Sequence, residues 1–284
     1  MPVDPKQALG YELPPASASW DADRVILYHL GIGAGNPPTD PRELRYAYEK
    51  DLVVLPSFAV IPVFPALAGI AGVPGLSFNL AMLLHGEQEV ILHRAIPTEA
   101  RIESRGRVAA IYDKGKAAVV VLEVDSRDES GSLMFTNRFS VFLRGEGGFG
   151  GEPGPPPGNL PPDRPPDHRV ESQTLPQQAL LYRLSGDKNP LHADPEFAKM
   201  AGFERPILHG LCSYGIVCKA VVDAALGGDV SRVAGYQARF RGVLFPGETI
   251  ATSLWEEGDR IVIEASCAER GTPVVSNAAI TLRS

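Results

Sequence analysis

Cysteine is scarce in this sequence of 284 residues, and the three present (Cys212, Cys218 and Cys267) are an odd number with no CxxC spacing. That excludes a disulfide framework or a cysteine-built zinc site and fits reduced, packed thiols. Basic charge is also short: 27 Lys and Arg stand against 34 Asp and Glu, a net charge of -7. Nucleic-acid binding needs a basic footprint, so no nucleic-acid partner is expected. No run approaches the roughly 20 apolar residues that cross a bilayer. The most apolar segment, 52–84, is broken by Pro56, Pro62, Pro65 and Pro74. The opening MPVDPKQALGYELPPAS lacks the basic and apolar regions of a signal peptide. A soluble, cytoplasmic protein without a membrane span is therefore expected. Two enzyme signatures are missing as well. There is no GxSxG elbow, and GIGAG at 31–35 falls short of GxGxxG and precedes Pro37-Pro38, which reads as a loop.

What the sequence does contain is enough apolar material for a packed core, at 44% hydrophobic and 21% charged residues. Its length suggests two domains or one large one. Residues 145–166, GEGGFGGEPGPPPGNLPPDRPP, hold seven Gly and eight Pro, which rules out a helix or a central strand. We take 145–168 as an extended, semi-rigid linker between folded units at 1–144 and 169–284.

The two units read alike. Each carries a β-meander with turn signals: DKGK and RDESGS in the first, EEGD and ERGT in the second. Pro97 precedes EARIES in one, and Pro246 precedes ETIATS in the other. Each meander follows an apolar segment of helical length. The second-half segment, 210–226, is apolar on nearly every side, as a helix enclosed by a sheet would be. The first-half candidate, 57–70, contains Pro62 and Pro65, which should kink or shorten it. An α+β fold follows, with two antiparallel sheets each wrapping a central helix.

The stretch SGDKNPLHAD, 185–194, sets Asp187 and His192 five positions apart around Asn189-Pro190. A short helix should end at Gly186, and Asp194-Pro195 reads as the N-cap and first position of the next. Pro190 stiffens the connection. Three readings compete: a turn whose Asp and Asn bond their own backbone, a metal site with His209 as third ligand, or an acid–base pair. Downstream, His209-Gly210 opens the apolar helix. Its unpaired N–H groups form an oxyanion site that a residue without a side chain leaves open. An acid, a base and an oxyanion donor suit proton abstraction beside a carbonyl, or water addition to a conjugated one. His209 itself reads as a packing or capping residue.

YRLSGDKNPLHADPEFAKMAGFERPILHGLCSYG resembles the signature of the MaoC-like (R)-specific enoyl-CoA hydratase 2 family, and RFRGVLFPGETI resembles its following strand. LYHLGIGAG, VLPSFAVIP, LLHGEQ, YDKGK and FLRGEGGFGG resemble the first half of the two-hotdog form found in peroxisomal multifunctional enzyme type 2. The resemblance implies a double hotdog that reversibly hydrates trans-2-enoyl-CoA to (3R)-3-hydroxyacyl-CoA in fatty-acid metabolism, as a hydro-lyase without metal or other cofactor. It implies Asp187 and His192 as the catalytic dyad, Asn189 orienting water or dyad, and the Gly210 N–H polarising the thioester carbonyl. The first half, lacking an Asp-x-Asn-Pro-x-His loop, would be catalytically silent and bind substrate through His85, Gly86 and Lys114, joined by Phe240 of the second half. Read alone, Lys114 is a turn residue, Phe240 core and His85 packing. Breaking of the first-half helix by Pro62 and Pro65 would open room for a long acyl chain. The implied partners are an acyl-CoA thioester or an acyl carrier protein, and a second copy in a homodimer. A hotdog thioesterase and a non-catalytic acyl-CoA-binding module are the alternatives.

Overall fold

The computed structural model describes residues 3–77 and 83–283, so 78–82, at the end of the apolar segment, lie outside the described residues. The described residues form ten strands: β1 (Ala16–Trp20), β2 (Leu83–Leu92), β3 (Ala100–Asp113), β4 (Ala117–Asp128), β5 (Leu133–Arg144), β6 (His168–Gln173), β7 (Val233–Phe240), β8 (Thr249–Glu257), β9 (Arg260–Cys267) and β10 (Pro273–Leu282). The helices are α1 (Pro5–Ala8), α2 (Ala22–Gly31), α3 (Pro41–Ala47), α4 (Phe64–Leu67), α5 (Gln178–Tyr182), α6 (Pro195–Met200) and α7 (Gly210–Leu226).

The halves repeat one topology. Outward from the centre the strands run β2-β5-β4-β3-β1 in the first half and β7-β10-β9-β8-β6 in the second. The duplicated signals fall on matching strands, since Pro97 precedes β3 and Pro246 precedes β8. Alternating burial along β3 and β4 reflects the period-2 pattern of a sheet with one covered face. The two expected sheets are joined edge to edge into one ten-stranded antiparallel sheet, because β2 pairs with β7, setting Glu87 opposite Arg239 and Glu89 opposite Gln237. The junction removes an exposed edge from each half. An ion pair from Arg239 Nε to Glu87, at 2.7 Å, spans it.

α7 is the core of the second half. Leu211 to Cys218 and Ala220 to Val222 are all buried, so the helix has no wet face along most of its length. Lys219 is the polar exception, bonding Glu43 of α3 at 2.6 Å and Asp223 one turn on at 2.9 Å. The pair with Glu43 ties the central helix to the first half.

The counterpart in the first half is not a continuous helix. Pro56–Val60 is a 3-10 turn, α4 follows with Pro65 in its first turn, and Ala68–Gly72 is again 3-10. Each proline removes a donor and obstructs the preceding turn. The Ala59 carbonyl is instead satisfied by the Asn137 side-chain amide at 3.1 Å, itself held by Gln88 at 3.0 Å. Phe58, fully buried, packs edge-on against Trp20 and Tyr28.

The Gly/Pro-rich segment is extended, as composition dictates, but it does not hang between units. The Asp113 N–H donates to the Glu152 carbonyl at 2.8 Å, and the Asn277 amide to the Gly158 carbonyl at 2.9 Å. β6 begins at His168, the last residue assigned to the linker.

Candidate active site

α5 runs into a 3-10 turn, Arg183–Ser185, and stops at Gly186. Gly186 has φ of 142°, a backbone conformation that side chains oppose, so this position suits glycine and sets the direction in which Asp187 leaves the helix. Arg24 of α2 donates to the Leu184 and Ser185 carbonyls at 3.1 and 2.5 Å, so the first half holds the end of this helix. Asp194 caps α6 by accepting the Glu196 N–H at 2.9 Å, with Pro195 next, as the sequence requires.

Between these ends the loop is stiffened by its own side chains. The Asn189 N–H donates to Asp187 Oδ1 at 3.0 Å, and Asn189 Oδ1 accepts the Leu191 N–H at 3.0 Å. The turn reading is thus true of the local hydrogen bonds. Asn189 is exposed and its side-chain oxygen is committed to the 3-10 turn Pro190–His192.

His192 is buried, and its Nδ1–H donates to the Ile207 carbonyl at 2.8 Å. A carbonyl only accepts, so the proton sits on Nδ1 and Nε2 keeps its lone pair. Burial pushes the imidazole pKa below its usual value, partly offset by the Ile207 carbonyl and the Asp187 charge. His192 is therefore neutral at neutral pH, a base rather than a cation.

His209, at the N-cap position of α7, makes no side-chain capping bond; it stacks on His192 with ring centroids 3.7 Å apart. Its Nε2–H donates to the Asp187 carbonyl at 3.3 Å, which leaves Nδ1 buried and unpartnered among the described residues. Burial, then the His192 neighbour, hold its pKa down to about 3. Donor atoms of Asp187, His192 and His209 lie within 4.8 Å of one another, the cluster a metal reading would need. The two rings are stacked only 28° from parallel, so their lone pairs lie in nearly parallel planes, a poor arrangement for two ligands of one tetrahedral ion. The geometry suits an acid–base pair better.

α7 starts beside this pair. The Cys212 and Ser213 N–H groups close on the His209 carbonyl, whereas no described group accepts from the Gly210 N–H. A side chain at 210 would meet the Phe240 ring at 3.4 Å, so Phe240 lies over the helix start.

His85, Gly86, Lys114 and Phe240 line one cavity of about 640 Å³. His85 packs between Phe139 and Phe240, with Nε2–H donating to the Glu87 carbonyl at 3.0 Å. Gly86 sits at a break in the β2–β5 register, a bulge that re-aims His85. A second cavity, about 460 Å³, is lined by Phe58, Ile61, Pro62 and Phe64 of the broken segment and by Gly186 and Asp187. The loop of Asp187 and His192 thus borders a cavity with an apolar wall from the broken segment and with Arg24 and Lys188 also in its lining, and Gly210 leads through Phe240 to the other.

Three contributors escaped the sequence reading. Arg24 acts about 160 residues away in the chain. Pro155–Gly158 form part of the larger cavity wall. The stack of His209 on His192 had only the HG dipeptide as a local signal.

A ten-stranded sheet built from a repeated strand–helix–meander unit, with one Asp/His loop in its second half, defines a double-hotdog protein of the MaoC-like class. Residues 19–145 match the MFE-2 hydratase 2 N-terminal domain, and 158–278 match the MaoC like domain. Enoyl-CoA hydratase ChsH3 of Mycobacterium tuberculosis is 47% identical over 277 residues, 97% of either chain. A crystal structure of a MaoC-like dehydratase from Phytophthora capsici superposes with a TM-score of 0.89 at 34% identity, covering 99% of this chain and 98% of that one. Full-length peroxisomal multifunctional enzyme type 2 from Drosophila melanogaster superposes with a TM-score of 0.83 at 35% identity. There the match covers 96% of this chain but 48% of the larger one. The chain belongs to the two-domain, MaoC-like hydratase 2 family.

Proposed function

We propose that this chain reversibly hydrates trans-2-enoyl-CoA to (3R)-3-hydroxyacyl-CoA. The observation that carries the reading is the Asp187 carboxylate beside a buried, neutral His192 on one rigid loop, with their polar atoms within 4.8 Å. His192 Nε2 and Asp187 activate a water for attack at C3 and return its proton to C2. The free Gly210 N–H, at the positive end of α7, stabilises the thioester oxygen as negative charge develops on it. Asn189 holds Asp187 in place through its backbone N–H.

Residues 1–144 form the substrate-binding, catalytically silent half and 169–284 the catalytic half, with 145–168 between them. His85, Gly86, Lys114 and Phe240 hold the thioester carrier, supported by their shared cavity. The apolar cavity at Pro62 and Pro65 receives the acyl chain, supported by its border with Asp187. Coenzyme A as carrier and a homodimer rest on the family resemblance.

The test is loss of the ultraviolet enoyl-thioester band when crotonyl-CoA and longer enoyl-CoA esters are added. Coupling to (R)- and (S)-specific 3-hydroxyacyl-CoA dehydrogenases reads the stereochemistry. Turnover by the (R)-specific enzyme alone is expected; free-thiol release without hydration would replace this reading with thioester hydrolysis.

A further inference from the structure

The larger cavity has a wall that the hydratase reading leaves unexplained. Pro155, Pro156, Pro157 and Gly158 come from the Gly/Pro-rich segment, which lies across β2, β5 and β7 instead of spanning open solvent. One side chain holds it there. Asp113, at the end of β3, accepts the Gly115 and Gly148 N–H groups on Oδ1 and the Gly150 N–H on Oδ2, each at 2.8 Å. These bonds, Gly148 foremost, keep its carboxyl below the usual range. The Asp113 N–H bonds the Glu152 carbonyl, and the Gly145 N–H bonds the Lys116 carbonyl.

Packing demands the glycines as well. A Cβ at Gly154, where φ is 79°, would lie 2.7 Å from the Tyr112 ring, and one at Gly147 would lie 2.5 Å from the Ala117 backbone N. The neighbouring Lys114 is fixed by the same arrangement. Its ammonium donates to the Pro153 carbonyl and sits over the Tyr112 ring. At the other end, Asn159 bonds Gln237 at 3.1 Å and Asn277 bonds Gly158, so the strap is anchored on both sides of the cavity.

The charge inside the cavity points to what the wall encloses. Lys114, Arg138, Arg239 and Arg241 line it with Glu87 and Glu89, four cations against two carboxylates, an excess of two positive charges in a chain of net charge -7. Arg138 is paired to Glu89, and Arg239 to Glu87. Lys114 and Arg241 have no carboxylate partner among the described residues. Unpaired cations beside a fixed wall suit the phosphates of a nucleotide-bearing thioester carrier.

We propose that Asp113 is a positioning residue that locks residues 147–158 over this cavity, so that the wall and Lys114 are preformed for the phosphate-bearing end of coenzyme A. The proposal rests on the acyl-CoA reading above. Preformation lowers the ordering cost of binding. Its loss should appear in affinity for the carrier, not in the chemical step.

The experiment compares the full-length chain with Asp113→Asn and with a variant carrying Gly-Ser-Gly in place of Pro155-Pro156-Pro157. Calorimetry with free coenzyme A measures the cavity without turnover. Both variants should bind it roughly tenfold more weakly. KM for crotonyl-CoA should rise alongside, while kcat and the KM for crotonyl-pantetheine, which lacks the nucleotide, stay within about twofold. Wild-type affinity in both variants overturns the proposal. So does equal weakening toward both thioesters, which would mark general damage. The replaced prolines are exposed strap residues, so that variant stays informative if Asp113→Asn folds poorly. A wild-type chain that binds coenzyme A without hydrating crotonyl-CoA would overturn the hydratase reading and leave the cavity assignment standing. One that neither binds coenzyme A nor hydrates crotonyl-CoA would overturn both.

Discussion

The segments at the centres of the two halves began as equivalents and now differ in what they leave open. In the second half α7 is continuous for 17 residues and packed on nearly every side. Its first half counterpart is broken into a 3-10 turn, the four-residue α4 and another 3-10 turn. The intact helix delivers a fixed N-terminus to Asp187 and His192. The broken one gives an apolar wall to a cavity of about 460 Å³ that reaches Asp187 from the other half. On the proposed reading one copy presents chemistry and the other space, while the strand order around them is unchanged.

This contrast can be strained at several points. The largest effect after the dyad itself belongs to the helix start. His209→Ala removes the ring stacked on His192 and the bond to the Asp187 carbonyl. A misplaced dyad costs on the order of 10²-fold in kcat, with KM less affected, which steady-state kinetics would read. Next comes the tight packing of α7. A Cβ at Gly215 would lie 2.6 Å from Ile32 and 2.7 Å from the Tyr28 hydroxyl. Gly215→Ala should therefore destabilise the fold by about 1–3 kcal/mol in urea denaturation. The same measurement on Pro62→Ala should show a smaller loss, because the first-half segment is already irregular.

Acid should weaken the fold through the buried imidazoles. Burial holds His29 at about 4 and His209 at about 3, and both rings are almost wholly buried. The unfolded chain binds these protons first, so the stability associated with neutral rings is complete above about 6.5 and falls as pH drops toward those lower values. Near pH 5 unfolding should take up about two protons from this pair. The slope of stability against pH measures it, and His29→Gln should remove about one. The smallest effect is on substrate choice. Replacing Pro62 and Pro65 together should shift the ratio of long- to short-chain turnover by roughly tenfold or less, through altered cavity shape. An unchanged ratio would separate those prolines from the acyl chain.

Residues 185–194 were legible because their geometry is written locally: Gly186 ends one helix, Asp194-Pro195 starts the next, and Pro190 stiffens the connection. The broken first-half helix was legible for the same reason, since Pro62 and Pro65 act on their own turn. The topology of the two halves could be read from paired turn signals and from Pro97 and Pro246. What stayed hidden depends on residues far apart in sequence. Arg24 reaches the carbonyls before Asp187 across about 160 residues. The union of the sheets through β2 and β7 needs two strand edges to meet. Composition revealed that the Gly/Pro-rich segment is extended, but only the acceptors on Asp113 say where it lies.

The most direct test is the kcat of Asp187→Asn and of His192→Ala with crotonyl-CoA, measured beside their calorimetric affinity for coenzyme A. The account predicts a loss of roughly 10²–10⁴-fold in kcat for each, the range of positioned acid–base catalysis, with affinity near wild type. Turnover within a few-fold of wild type in both variants would contradict it.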